Sequence, residues 1–159
     1  MNPSATLEQN KVDNNLKLEI SRVIKADRTR VFNAWTQPEI MQKWIGPGMM
    51  KIVHASADLR VGGAYSWEMQ GRPDGSDSEY KAKATGIYKK IIPNELVSFT
   101  WHATWAPDEE TLVTVRFRDV AEGTEVTLTH ERFKTEESRA GHQRGWTSML
   151  DKLPTLFQQ

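Results

Sequence analysis

Leu16-Lys-Leu-Glu-Ile-Ser-Arg-Val-Ile24 alternates apolar and polar residues for five positions and then shifts face, the pattern of a strand with one side buried. Residues 1–14 ahead of it (MNPSATLEQNKVDN) are polar and carry no sustained period. A flexible tail is expected there, and a single domain over residues 15–159. Behind the strand, Asp27 is placed to cap a short helix on which Val31, Phe32 and Trp35 form an apolar stripe. Thr36-Gln-Pro-Glu39 then reads as a capping box opening a second short helix, with Pro tolerated in its first turn. Ile40, Met41 and Trp44 are its expected buried side, and Gly46-Pro47-Gly48 its stop.

From Lys51 to Phe133 the period is two. It predicts strands at Lys51–Leu59, Ala64–Gln70, Glu79–Ile91, Leu96–Trp105, Thr111–Val120 and Thr124–Phe133. The breaks are Val61-Gly-Gly63, Arg72-Pro-Asp-Gly75, Pro93-Asn94, Ala106-Pro-Asp108 and Glu122-Gly123, all with turn chemistry. Connections this short join antiparallel neighbours, so the strands form a meander. Tyr65, Trp67 and Met69 share one face, as do Val97, Phe99, Trp101, Ala103 and Trp105, and Val113, Val115 and Phe117. Ser66, Glu68, Ser98, Thr100, His102, Arg116 and Arg118 fall on the opposite faces, where solvent is expected.

The last strand delivers Val126, Leu128 and His130 to one side. A long helix opening at Thr135 then presents His142, Trp146, Met149, Leu150, Leu153 and Phe157 at helical spacing. Glu136 and Glu137 favour its positive end, whereas Pro154 costs about 3 kcal/mol inside a helix and predicts a kink or an early end. The fold class is therefore α+β: a curved antiparallel sheet of six to seven strands wrapped around a long C-terminal helix, with two short helices after the first strand. Helices are the only cover for one sheet face. A helix lying across a strongly curved sheet need not fill the concavity, which is the physical case for a cavity.

Composition narrows the function. The chain has 159 residues, with Lys plus Arg and Asp plus Glu equal at 21 each, so charge gives no support to a nucleic-acid or acidic-membrane partner. No cysteine is present, which excludes disulfides, thiolate nucleophiles and cysteine-based metal sites and suits a reducing, cytoplasmic setting. The start lacks the pattern of a signal peptide, and no apolar run is long enough for membrane insertion. Histidine spacing offers no preformed metal site, no Gly-x-Ser-x-Gly nucleophile elbow occurs, and no cofactor is expected. Val61-Gly-Gly63 is a hairpin corner rather than a phosphate loop, with an Asp58–Arg60 salt bridge beside it.

Two histidines are the candidates for catalysis. His130 and His142 are both expected on inner faces, where a hydrogen-bonded pair could act as acid or base near neutral pH. The alternative is that each satisfies a buried partner and locks the last strand to the helix. Glu68 and Glu131 read as solvated charges. The aromatic set is the richer signal, because Trp N–H groups need partners and several in one core suit a partly wet, mostly apolar pocket. The expected pocket wall is Trp35, Trp44, Tyr65, Trp67, Phe99, Trp101, Phe117, Leu128, His130, His142, Trp146, Met149 and Leu150, with Trp105 also on an inner face.

Val31-Phe-x-Ala-Trp-Thr-x-Pro-Glu39 with Trp44-x-Gly-Pro47, Asp58-x-Arg-Val-Gly-Gly-x-Tyr65, Phe99-Thr-Trp101, Thr124-x-Val-Thr-Leu-Thr-His-Glu131 and Gly145-Trp-x-x-x-Leu-Asp-x-Leu153 together resemble the START-like (SRPBCC) superfamily. Within it they are similar to the activator-of-heat-shock-ATPase-homologue-like branch of small bacterial proteins, from about Leu16 to Phe157. Pro154 departs from that branch's usual apolar or small residue. The resemblance implies a helix-grip fold with a hydrophobic cavity between sheet and last helix. Its members bind lipids, sterols, polyketides and plant aromatics, sequester antibiotics, or catalyse cyclisation and ring hydroxylation. The leading expectation is carriage or sequestration of a hydrophobic or aromatic small molecule. A cyclase or hydratase using pocket histidines comes second, and a chaperone-modulating interaction module third. A homodimer stays open.

Overall fold

The computed structural model describes residues 16–46, 49–72 and 79–158. The expected N-terminal tail, the Pro47-Gly48 part of the helix stop and the Pro73–Gly75 turn lie outside the described residues. Seven strands form one antiparallel sheet: β1 (Lys17–Ile24), β2 (Lys51–Ala57), β3 (Ala64–Gly71), β4 (Tyr80–Ile92), β5 (Leu96–Ala103), β6 (Ala106–Val120) and β7 (Gly123–Glu131). Their order is β1-β7-β6-β5-β4-β3-β2, so β2 to β7 make the expected meander and the first strand returns to close against the last. Alternation sets the register. Leu18 faces His130, His130 faces Val113, Val113 faces Phe99 and Phe99 faces Tyr88, one buried row crossing five strands.

The sheet is curved, and at Gly86 on β4 the backbone lies close against a neighbouring ring and carbonyl. Tyr65 lies opposite Gly86 in the β3–β4 register, and its hydroxyl donates to the Thr100 carbonyl at 2.6 Å. A Cβ at Gly86 would stand 1.9 Å from that carbonyl oxygen and 2.7 Å from the Tyr65 ring, so only glycine permits the ring to fold across the strand. Burial raises the Tyr65 hydroxyl well above its ordinary range, which keeps it a donor.

Three helices cover the concave side: α1 (Arg28–Thr36), α2 (Pro38–Met41) and α3 (Glu136–Leu156). Asp27 caps α1 by accepting from the Arg30 amide at 2.9 Å. The capping box at Thr36 does not form. Thr36 is the last, buried residue of α1 and donates to the Phe32 carbonyl, while Gln37 precedes α2 without a side-chain cap. A helix of one turn gains its support from packing instead. Trp44 donates to the Ala34 carbonyl at 2.8 Å and meets Trp35 edge-on at 4.8 Å, fastening this segment to α1. Ile40, expected to be buried, is only half-buried at the edge of the core.

The hairpin between β5 and β6 corrects the sequence reading most. The turn is at Thr104-Trp105, not Ala106–Asp108, and β6 begins at Ala106 rather than Thr111. A register shift between Trp101 and Ala103 ends the expected alternation, so Trp105 leaves the strand and stands 41% exposed at the corner. Ser98 is buried rather than solvated and pairs with Thr114 at 3.2 Å. At the other end, α3 carries Pro154 in its last turn and stops at Leu156. The missing proline N–H falls where the helix is ending anyway.

Candidate functional site

α3 begins where the Thr135 side chain accepts from the Ser138 amide at 3.0 Å, and its stripe of His142, Trp146, Met149, Leu150 and Leu153 turns toward the sheet. Sheet and helix do not close completely. A cavity of about 220 Å³ lies between them, lined by Met50, Met69, Tyr80, Ala82, Trp101, Trp105, Gly141, His142, Gly145, Trp146 and Met149. Gly141 and Gly145 stand one turn apart on α3, so the helix offers bare backbone where larger side chains would intrude. A Cβ at Gly141 would meet only the Arg144 guanidinium, at 3.7 Å. Tyr80 and Trp105, 42% and 41% exposed, form the rim. An apolar cavity of about 150 Å³ holds a benzene, so this one has room for a fused pair of rings or a short chain.

Histidine chemistry here is fixed by hydrogen bonds. His142 donates from Nδ1 to the Ser138 carbonyl at 2.8 Å, which makes Nε2 the bare nitrogen, and Nε2 accepts from the Trp105 indole N–H at 3.3 Å. His130 accepts at Nδ1 from the Trp146 indole N–H at 2.9 Å. Its Nε2 donates to the Thr111 hydroxyl at 2.6 Å, and that hydroxyl donates on to the Trp101 carbonyl at 3.3 Å. Both rings are neutral in this arrangement. Burial lowers the His130 pKa well below its ordinary value, and the nearby His142 lowers it further. Burial also lowers that of His142, against the opposing pull of the Ser138 carbonyl and the Glu109 charge.

Glu109 completes the framework. It is buried, accepting from the Lys134 amide and from the Ser138 hydroxyl, each at 2.6 Å, and so ties the start of β6 to the entry of α3. The expected solvated carboxylates, Glu68 and Glu131, are half-buried and take no part in this framework. Trp101 lines the cavity with its indole nitrogen buried and unpartnered; Trp35 and Trp67 share that condition in the core.

Of the expected pocket wall, Trp101, His142, Trp146 and Met149 line the cavity. Trp35, Trp44, Tyr65, Trp67, Phe99, Phe117, Leu128, His130 and Leu150 lie in the packed core and do not line it. His130 and His142 meet edge-on at 5.0 Å without a hydrogen bond between them, and all four ring nitrogens are engaged with other partners. His102 is exposed, as expected. Sequence reasoning missed Glu109, although continuing the alternation of Val113 and Thr111 back by one more pair of residues places it inside. It also missed Gly141 and Gly145, whose signal is a gap in an otherwise bulky helix stripe.

A curved antiparallel sheet gripping a C-terminal helix over an apolar cavity defines a helix-grip protein of the START-like (SRPBCC) superfamily. Within that class the chain belongs to the family of Activator of Hsp90 ATPase homolog 1-like proteins (AHSA1), whose family model matches residues 25–158. The chain is similar to the AHSA1-like protein from Aeromonas hydrophila, at 25% identity and a TM-score of 0.72 over 88% of this chain and 90% of that one. It is also similar in fold to protein NE0264 from Nitrosomonas europaea, at 19% identity and a TM-score of 0.71 over 88% of this chain and 92% of that one. DynU16, a protein in the dynemicin biosynthetic locus, is 18% identical with a TM-score of 0.69, over 89% of this chain and 46% of that one. No curated protein matches the chain at a significant level. Among the described residues no helix is long and apolar enough to cross a membrane, and no group of three or more His, Asp or Glu is placed to hold a metal ion.

Proposed function

We propose that the protein binds an apolar, ring-bearing small molecule in the cavity beneath α3, as a carrier or sequestering protein. The observation that carries this reading is the cavity itself: about 220 Å³, walled by Trp101, Trp105, Trp146 and three methionines, with helix backbone bared at Gly141 and Gly145. Flat indole faces and adaptable thioethers suit an aromatic guest. Binding is favoured over acid–base catalysis because His130 is fully enclosed and both histidines have their ring nitrogens committed to protein partners. A fold neighbour in a natural-product biosynthetic locus is compatible with such a ligand.

Tryptophan fluorescence against a panel of naphthalenes, polycyclic phenols and medium-chain lipids tests the proposal. Saturable quenching is expected, and Gly141→Leu is expected to remove it while leaving the fold intact. A panel that gives no saturable change at high protein concentration overturns the reading.

A further inference from the structure

Met50 is a wall of two hollows. One is the cavity just described. The other, of about 400 Å³, is lined by Trp44, Ile45, Met49 and three lysines, Lys43, Lys51 and Lys152. Among the described residues none of these three lysines is in an ion pair, and Asp151, the acid beside Lys152, is committed to Arg22 at 3.2 Å. Lys152 gives one N–H to the Gly46 carbonyl, which leaves two donors free of that bond. Burial lowers its pKa, and the neighbouring Lys51 ammonium lowers it further. In a chain with 21 basic and 21 acidic residues, such a cluster does not follow from overall charge.

The two hollows are aligned along α3. Met149 lines the cavity and Lys152 the lysine hollow, three residues apart, or about 4.5 Å of helix rise. From Gly145 to Lys152 the rise is about 10.5 Å, so a ring seated against Gly145 and Trp146 needs an arm of only a few bonds to bring an acid to Lys152. Met50 lines both hollows, and its side chain is unbranched, with three rotatable bonds, the kind that repacks around a guest.

We infer that the lysine hollow is the head-group end of the same site, and that the ligand is an amphiphile with an aromatic body under α3 and a carboxylate held by Lys43, Lys51 and Lys152. This rests on the cavity reading above and extends it to the ligand's charge. Neighbouring ammonium groups suit a compact oxyanion, and the apolar residues among them cover the arm.

Calorimetric titration with naphthylbutanoate and its neutral amide, naphthylbutanamide, separates the two ideas. The acid is expected to bind roughly tenfold more tightly than the amide, as charge-assisted bonds to the half-buried Lys152 and the exposed Lys43 and Lys51 beside it provide. Lys152→Gln and Lys51→Gln are each expected to cut that advantage several-fold while leaving the amide's affinity unchanged. Added salt is expected to weaken the acid alone. Equal affinities for acid and amide in the unsubstituted protein overturn the head-group site and leave the cavity reading standing. Loss of acid and amide binding alike in both lysine variants also overturns it, by making those lysines supports of the fold. Failure of both ligands to bind the unsubstituted protein overturns the cavity reading and this extension together.

Discussion

Trp146 on α3 donates its indole N–H to Nδ1 of His130 on β7 across 2.9 Å, and both residues are buried. This bond joins the helix to the strand next to the sheet's β1 edge, and Trp146 also lines the cavity. Trp146 thus has one face in the cavity wall and its polar edge in the core. Trp146→Phe keeps the apolar face but leaves a buried nitrogen acceptor unpaired and a small void. It is expected to cost about 1–3 kcal/mol, the range for orphaning a buried polar group. Urea denaturation measures it, and an unchanged midpoint would show that the bond contributes nothing net.

The two neutral histidines make stability depend on pH. Each has a folded pKa below its ordinary value, so the unfolded chain takes up protons first. Above about pH 6.5 both states are unprotonated and the full stability is present. Below it, stability falls as pH falls, by up to about 1.4 kcal/mol per pH unit for each histidine. Urea midpoints measured from pH 7 down to 5 are expected to drop steadily, and His142→Gln is expected to make the slope shallower. A flat profile over that window would contradict the buried, neutral assignment.

Much of this was legible from the chain. Period-two alternation from Lys51 onward placed the meander, and the His142–Leu153 stripe placed the inner face of α3. What alternation could not give was the division of that inner face into core and cavity wall. Trp67 and Trp101 share the same side of the sheet, and they meet edge-on at 5.5 Å, yet only Trp101 reaches the cavity. Which of two adjacent indoles is covered depends on what the helix places above it. Gly141 and Gly145 of α3 line the cavity, and there no side chain announces itself. Trp105 was misread for a related reason: a register shift late in β5 has no signature in an unbroken run of apolar alternation.

Gly141 offers a direct handle on cavity volume. Its Cβ position is open apart from the Arg144 guanidinium at 3.7 Å, so Gly141→Ala is expected to stabilise the helix by up to about 1 kcal/mol. The same substitution narrows the cavity slightly, whereas Gly141→Leu is expected to occupy it. A thermal melt of both variants, paired with fluorescence titration, should show stability rising or holding while affinity falls. Affinity that survives Gly141→Leu would place the guest somewhere other than beneath α3.

Glu109 reports on the same region from the junction of β6 with the start of α3. Its carboxylate accepts from the Lys134 amide and the Ser138 hydroxyl, and its charge also raises the pKa of His142 against burial. Glu109→Gln leaves one acceptor oxygen and removes the charge. Two effects are expected together: a loss of about 1–3 kcal/mol in stability from the disrupted buried pair of bonds, and a further downward shift in the His142 titration. Proton NMR of the imidazole resonances reads the second effect independently of the first. The charge and the hydrogen bonds separate because Glu109→Ala removes both carboxylate bonds at once, yet should move the His142 pKa in the same direction as Gln does. A His142 titration unchanged in both variants would mean that the Glu109 charge is not felt at the cavity wall.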